Sequence, residues 1–76
     1  MGPHVPRERL LNKLRELGFV FKKEKGHVQL YRRSSDGTRA TLRKRDLIDV
    51  AEVTAMLRQA GCSEEEIRSF IQQAQV

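Results

Sequence analysis

Leucines recur at helical spacing near the start of the chain and form one apolar stripe, while arginines and lysines fall on other sides. Pro6 suits the first position of a helix, where its missing N–H has no intrahelical partner. Gly18 suits the end of a helix, because glycine readily adopts the left-handed conformation found there. The pattern predicts a first helix over residues 6–17, with its stripe formed by Leu10, Leu11, Leu14 and Leu17.

The hydrophobic period then changes from helical to alternating. Residues 19–24, 27–33 and 38–45 each alternate as β-strands do, and the intervening segments, Lys25-Gly26 and the SSDG sequence at 34–37, are typical of turns. Alternation gives the second strand two faces, one with His27, Gln29, Tyr31 and Arg33 and the other with Val28, Leu30 and Arg32. This region therefore predicts a three-stranded antiparallel sheet.

Two capping patterns predict two more helices. Asp49 and Ser63 each stand three positions before a glutamate and precede an apolar stripe, and Gly61 suits the end of the first of these helices. The element order α-β-β-β-α-α predicts an α+β domain over residues 6–76, with the helices packed on one face of the sheet, after a flexible tail at residues 1–5. We expect a core of Leu10, Leu14, Phe19 or Phe21, Leu30, Leu42, Val53, Leu57, Ile67 and Phe70.

Composition narrows the class of protein. With 76 residues, 38% hydrophobic and 33% charged, the chain has the size and balance of one small globular domain. No apolar run approaches the roughly 20 residues that span a bilayer. The single cysteine, Cys62, cannot form an internal disulfide, and no Cys/His cluster suggests zinc. We expect a cytoplasmic, reduced protein without a metal or other cofactor, and away from membranes.

Charge is distributed unevenly along the chain. The net charge is +5, but residues 7–45 contain 13 Lys/Arg against 4 Asp/Glu, a local +9, whereas residues 46–76 contain 2 against 6, a local −4. A basic block of this size in a small domain suits binding to a polyanion, because lysine and arginine bind phosphates. A merely solubilising surface is the alternative.

Three segments in this order resemble the HicA family of toxin ribonucleases from toxin–antitoxin pairs. They are RERLLNKLRELGFVFKKEKGH at 7–27, LYRRSSDGTRATL at 30–42 and MLRQAGCSEEEIRSFI at 56–71. The resemblance implies a fold like that of the double-stranded-RNA-binding domain. It also implies an mRNA endoribonuclease that works without metal, and an acidic antitoxin protein of the HicB type that covers its active site.

His27 is the candidate catalytic residue, because the other histidine, His4, belongs to the expected tail. A neutral imidazole can accept the proton of an RNA 2′-OH near neutral pH, and Lys22, Lys25 or Arg43 can stabilise the negative charge that develops on the phosphate. The family usually places its histidine three positions before an aromatic residue. Here His27 precedes Tyr31 by four positions, and Val28 occupies the family's position. A solvent-facing histidine is the alternative.

The remaining candidates are side chains that would contact RNA. Tyr31 can stack on a base, with core packing as the alternative, and the cations can contact phosphates, with a solvated strand edge as the alternative. The full set is Lys22, Lys23, Lys25, Tyr31, Arg33, Arg39, Arg43, Lys44 and Arg45. Two other functions stay open: a non-catalytic nucleic-acid-binding module with a degenerate active site, and a protein-interaction domain with an acidic partner.

Overall fold

Three helices and two antiparallel sheets make up residues 3–76, the part of the chain that this computed structural model describes. The structure contains three helices and the three-stranded antiparallel sheet, and it also contains two short strands that were not predicted. The elements are β1 (His4–Pro6), α1 (Arg7–Glu16), β2 (Phe19–Lys25), β3 (Val28–Arg33), β4 (Arg39–Arg43), β5 (Leu47–Asp49), α2 (Val50–Gln59) and α3 (Glu64–Ala74). The protein is a small α+β fold.

The larger sheet has the strand order β2-β3-β4, with β3 in the centre. One face of this sheet is buried: Tyr31, Ala40 and Leu42 are at most 5% exposed, and they belong to one core cluster with residues of all three helices. The opposite face contains no buried residue in the described part of the chain. We call it the open face; its nine residues are Val20, Lys23, Lys25, Val28, Leu30, Arg32, Arg39, Thr41 and Arg43.

The smaller sheet corrects the expectation of a flexible tail. In β1, His4 and Val5 pair with Asp49 and Ile48 of β5, and both Val5 and Ile48 are buried in the core. Val76 N–H also donates to the His4 carbonyl. A three-residue strand is too short to show an alternating pattern, so this pairing could not be predicted from the hydrophobic pattern. Met1 and Gly2, the rest of the expected tail, lie outside the described residues.

Two of the expected helix starts differ in detail. Pro6 ends β1 and occupies the N-cap position of α1, one residue before the helix begins. Asp49 is the N-cap of α2, but its side chain makes no capping hydrogen bond and instead lies 3.1 Å from His4 Nε2. The strand pairing of β1 with β5 brings His4 beside this carboxylate. The second capping box is confirmed: Ser63 and Glu66 exchange both hydrogen bonds at the start of α3.

The core contains most of the expected residues: Leu10, Leu14, Phe19, Leu42, Val53, Leu57 and Ile67 are buried, and Phe70 is partly buried. Leu30 was expected in the core but lies on the open face, because it alternates with the buried Tyr31. Phe21 contacts Tyr31 edge to face, yet it remains 51% exposed. Burial raises the pKa of the Cys62 thiol, which packs as a small core side chain.

Val5→Ala tests whether β1 is an integral part of the fold. Val5 is fully buried, so removing two methyl groups should lower the free energy of unfolding by about 1–3 kcal/mol. Urea denaturation followed by circular dichroism measures this. Val76→Ala is the matched control, because Val76 is 54% exposed and should tolerate the same change. Equal stability of Val5→Ala and wild type would contradict this placement of β1.

Candidate nucleic-acid interface

A β-bulge in β2 determines which charges face outward. Phe21 pairs with Tyr31 and Lys23 pairs with Leu30, so Lys22 is an extra residue with no partner of its own in β3. Such a residue shifts the alternation of the strand by one position. After the bulge, Lys23 and Lys25 therefore project from the open face, and Glu24 projects from the covered face. A regular strand would give the opposite arrangement.

Strand pairing arranges the open face in three cross-strand rows, since directly paired residues share a face. Lys23, Leu30 and Thr41 form the middle row. Neighbouring strands lie about 4.8 Å apart and successive rows about 7 Å apart, so the nine side chains form one small continuous surface. The two outer rows are Lys25, Val28 and Arg43 at one end, and Val20, Arg32 and Arg39 at the other.

The open face carries positive charge without compensation. Its five cations are all exposed, no aspartate or glutamate is among its nine residues, and within residues 3–76 no ion pair involves any of the five. Exposed cations without a carboxylate partner are free to contact phosphates. The five are Lys23, Lys25, Arg32, Arg39 and Arg43.

Glu24 is engaged on the covered side of the sheet. Its carboxylate accepts hydrogen bonds from Gln29 Nε2 at 2.9 Å and from Lys44 Nζ at 3.0 Å. These two hydrogen bonds lower the pKa of Glu24. Gln29 Oε1 in turn accepts hydrogen bonds from Arg7 and from the Tyr31 hydroxyl. The network holds the only acidic residue of β2 away from the open face and ties β2 and β3 to the start of α1.

His27 lies in the turn between β2 and β3. The strand that was expected to begin at His27 begins at Val28 in the structure. Gly26, with a φ of 62°, supplies the left-handed conformation that this tight turn requires. The His27 side chain is exposed and makes no hydrogen bond or ion pair with residues 3–76, while its carbonyl accepts from Lys44 N–H. Val28, the next residue, belongs to the open face.

Tyr31 and Arg33 do not reach the open face, which corrects two expected RNA contacts. Tyr31 is 5% exposed, so its ring packs in the core, the alternative considered for it, and is unavailable for stacking on a base. Arg33 forms a bidentate pair with Asp36, donates to the Ala60 carbonyl at 2.9 Å and lies over the Phe19 ring. Both side chains point to the covered face because they alternate with Leu30 and Arg32.

The other expected cations divide into two groups. Lys23, Lys25, Arg39 and Arg43 come together on the open face. Lys22 is the bulged residue, Arg45 follows β4 as an exposed residue, and Lys44 is paired with Glu24. Arg32 was not among the expected contacts, because alternation places it on the same face of β3 as Leu30, which was expected in the core.

A groove of about 610 Å³ lies elsewhere, between α1 and α3. Arg9, Lys13 and Glu16 of α1 line one side, and Glu65 and Glu66 of α3 line the other. A groove with three glutamates does not suit a polyanion, because the glutamates repel its phosphates. The open face is therefore the better candidate for nucleic acid.

No protein-family model matches the chain, and no curated protein matches it. The resemblance to HicA toxins stays a prediction from the sequence. Among residues 3–76, no helix is long and apolar enough to cross a membrane. The same residues contain no group of three or more His, Cys, Asp or Glu side chains that could hold a metal ion.

Asp36→Asn tests the role of Arg33 in the fold. The hydrogen bonds from Arg33, and then from Thr38 N–H, hold the pKa of Asp36 well below its usual 3.8. The pair therefore stabilises the folded state above pH 3.8, and this contribution declines as the pH falls below that value. The variant should melt a few degrees below wild type at pH 7, and the two melting temperatures should converge in acid.

Thermal unfolding at a series of pH values measures this difference. Asp46→Asn is the control, because its exposed side chain has no hydrogen bond or ion pair with the described residues. A difference between Asp36→Asn and wild type that is unchanged down to pH 2 would contradict the ionic origin of the stabilisation.

Proposed function

We propose that this protein binds RNA through the open face of its β2-β3-β4 sheet. The observation that carries the proposal is the set of five exposed cations on a surface with no carboxylate. Lysine and arginine contacts to phosphates supply most of the affinity for a polyanion, through release of its counterions. Binding should therefore weaken steeply as salt concentration rises.

The choice of RNA among polyanions rests on the resemblance to HicA toxins. A more detailed description of the fold rests on the same resemblance. We propose that the sheet and helices form a domain like the double-stranded-RNA-binding domain, in the HicA version. An acidic antitoxin of the HicB type is the proposed protein partner. The open face also suits this partner, because an acidic surface would compete with RNA for the same cations.

Exchanging Lys23 and Glu24 tests whether the open face, rather than the net charge, binds RNA. The double variant K23E/E24K keeps the composition but places a carboxylate on the open face and removes the Glu24–Lys44 pair. We expect affinity for a single-stranded RNA to fall about tenfold at low salt, and the salt slope to fall by about 1. Fluorescence anisotropy over a range of salt concentrations measures both.

The matched control is R15E/E16R in α1, which exchanges two exposed charges away from the open face at constant net charge. It should bind as wild type does. Equal losses in the two exchanges would mean that binding is not localised to the open face. Wild-type binding that is independent of salt would contradict phosphate contacts altogether.

Cleavage of mRNA is the second candidate function, with His27 as the general base. Two observations favour it: the imidazole is exposed without a partner among the described residues, and the adjacent row of the open face supplies Lys25 and Arg43. The competing function is a binding module with a degenerate site. It is favoured by Val28, which projects from the open face where the family's histidine is expected.

His27→Ala and Val28→His together distinguish these two functions. In the ribonuclease, His27→Ala should abolish cleavage and leave RNA affinity nearly unchanged, because a neutral imidazole contributes little to phosphate binding. In the degenerate module, wild type should leave RNA intact, and Val28→His should introduce cleavage. Incubation of a labelled RNA with each variant, followed by gel electrophoresis, measures the activity.

Cleavage by His27→Ala at the wild-type rate would rule out His27 as the base. If neither wild type nor Val28→His cleaves RNA, His27 is not the base of an active ribonuclease, and position 28 is not the place of a lost catalytic histidine. Neither result bears on RNA binding, which the same samples report by anisotropy.

A further inference from the structure

The open face contains a shallow apolar pocket among its cations. Its volume is about 340 Å³, and its lining is almost entirely carbon. Val28, Leu30 and Thr41 line it together with Lys23 and Lys25. Lysine can cover apolar surface with its methylene chain while the ammonium group stays in water. The apolar pocket is therefore lined in part by two side chains that carry positive charge.

Phosphate binding does not explain this pocket. Phosphates are bound by charge and hydrogen bonds, for which exposed Val28 and partly exposed Leu30 offer nothing. A nucleobase, by contrast, has an apolar face that gains free energy when it leaves water. The pocket lies at the lower end of the size range of small-ligand sites, roughly 300–1,000 Å³, which suits one base better than a larger group.

The surrounding charges indicate the chain to which such a base belongs. Lys23 and Lys25 line the pocket, and Arg43 stands beside Val28 in the same cross-strand row. A base in the pocket would thus have cations on both sides of it, where the flanking phosphates of a single strand pass. In a duplex the base faces are stacked on one another and cannot enter a pocket.

We propose that the pocket formed by Lys23, Lys25, Val28, Leu30 and Thr41 takes up one unstacked base of a single-stranded RNA, while the neighbouring cations bind its flanking phosphates. This inference deepens the proposed RNA binding and rests on it. It adds a preference for single strands over duplexes, and a contribution from the base that charge alone does not provide.

Comparison with an abasic strand separates the contribution of the base to the affinity from that of the phosphates. We would measure binding of wild type to a labelled eight-nucleotide RNA, to a strand of equal length and charge without bases, and to a duplex of the same sequence. The base-bearing single strand should bind about fivefold more tightly than the abasic strand, at the lower end of what a base contact contributes. The duplex should bind more weakly than the base-bearing strand.

Val28→Ser and Val20→Ser are matched variants on the same face. Val28 lines the pocket at 39% exposure, whereas Val20 is 47% exposed and lies in the far row, outside the pocket. Val28→Ser should bring the base-bearing strand to the affinity of the abasic strand, whereas Val20→Ser should leave the difference between the two strands as it is in wild type. Leu30→Thr is a second pocket variant with the same expected effect; circular dichroism checks the fold of each.

Each outcome decides the inference. Equal affinity for base-bearing and abasic strands would overturn the base pocket and leave phosphate-driven RNA binding intact. Equal effects of Val28→Ser and Val20→Ser would overturn the assignment of the base to this pocket. Failure of wild type to bind any of the three RNAs would overturn both the inference and the proposed function.

Discussion

One extra residue in β2 determines which of the charged side chains of this strand lie on the open face of the sheet. A strand that buries one face must keep its alternation, and β2 begins correctly with the buried Phe19. Continued without interruption, the same alternation would place Glu24 on the open face and Lys23 on the covered face. The bulge at Lys22 prevents this, because it shifts the alternation between the paired positions Phe21–Tyr31 and Lys23–Leu30.

The two faces then differ in how their polar groups are satisfied. On the covered face, a connected set of hydrogen bonds joins Glu24, Gln29, Arg7, Tyr31 and Lys44. On the open face, none of the cations makes an ion pair with residues 3–76. A ligand with phosphates can bind these cations without breaking an ion pair among those residues, which is why the separation of charge matters for binding.

Much of the fold could be predicted from the sequence. The leucine stripe of α1, the capping box at Ser63 and the turn at 34–37 are local signals, and the structure contains each of them. Alternation also correctly placed Tyr31 and Leu30 on opposite faces of β3. It could not say which face the helices cover, since that depends on packing between distant segments, and Leu30 was assigned to the core for this reason.

The candidate site was less predictable for physical reasons. The bulge cannot be recognised in the sequence, because the extra residue, Lys22, and the next residue, Lys23, are both lysines. The hydrophobic pattern is therefore the same whichever of the two is unpaired. The ordered β1 depends on contacts with Ile48 and Asp49, more than 40 residues away. In the sequence, Arg33 cannot be distinguished from the other arginines of the sheet. In the structure, the turn that follows it brings the Asp36 carboxylate close enough to accept two hydrogen bonds from its guanidinium group.

Methyl chemical shifts provide the most direct measurement of whether RNA binds to the open face. A protein labelled with ¹³C at the methyl groups of valine, leucine and threonine would be titrated with a single-stranded RNA. We expect shift changes at Val20, Val28, Leu30 and Thr41, with little change at buried Val5, Leu10 and Leu57 or at the exposed Val76. Unchanged methyl shifts on the open face in the presence of bound RNA would contradict binding at this face.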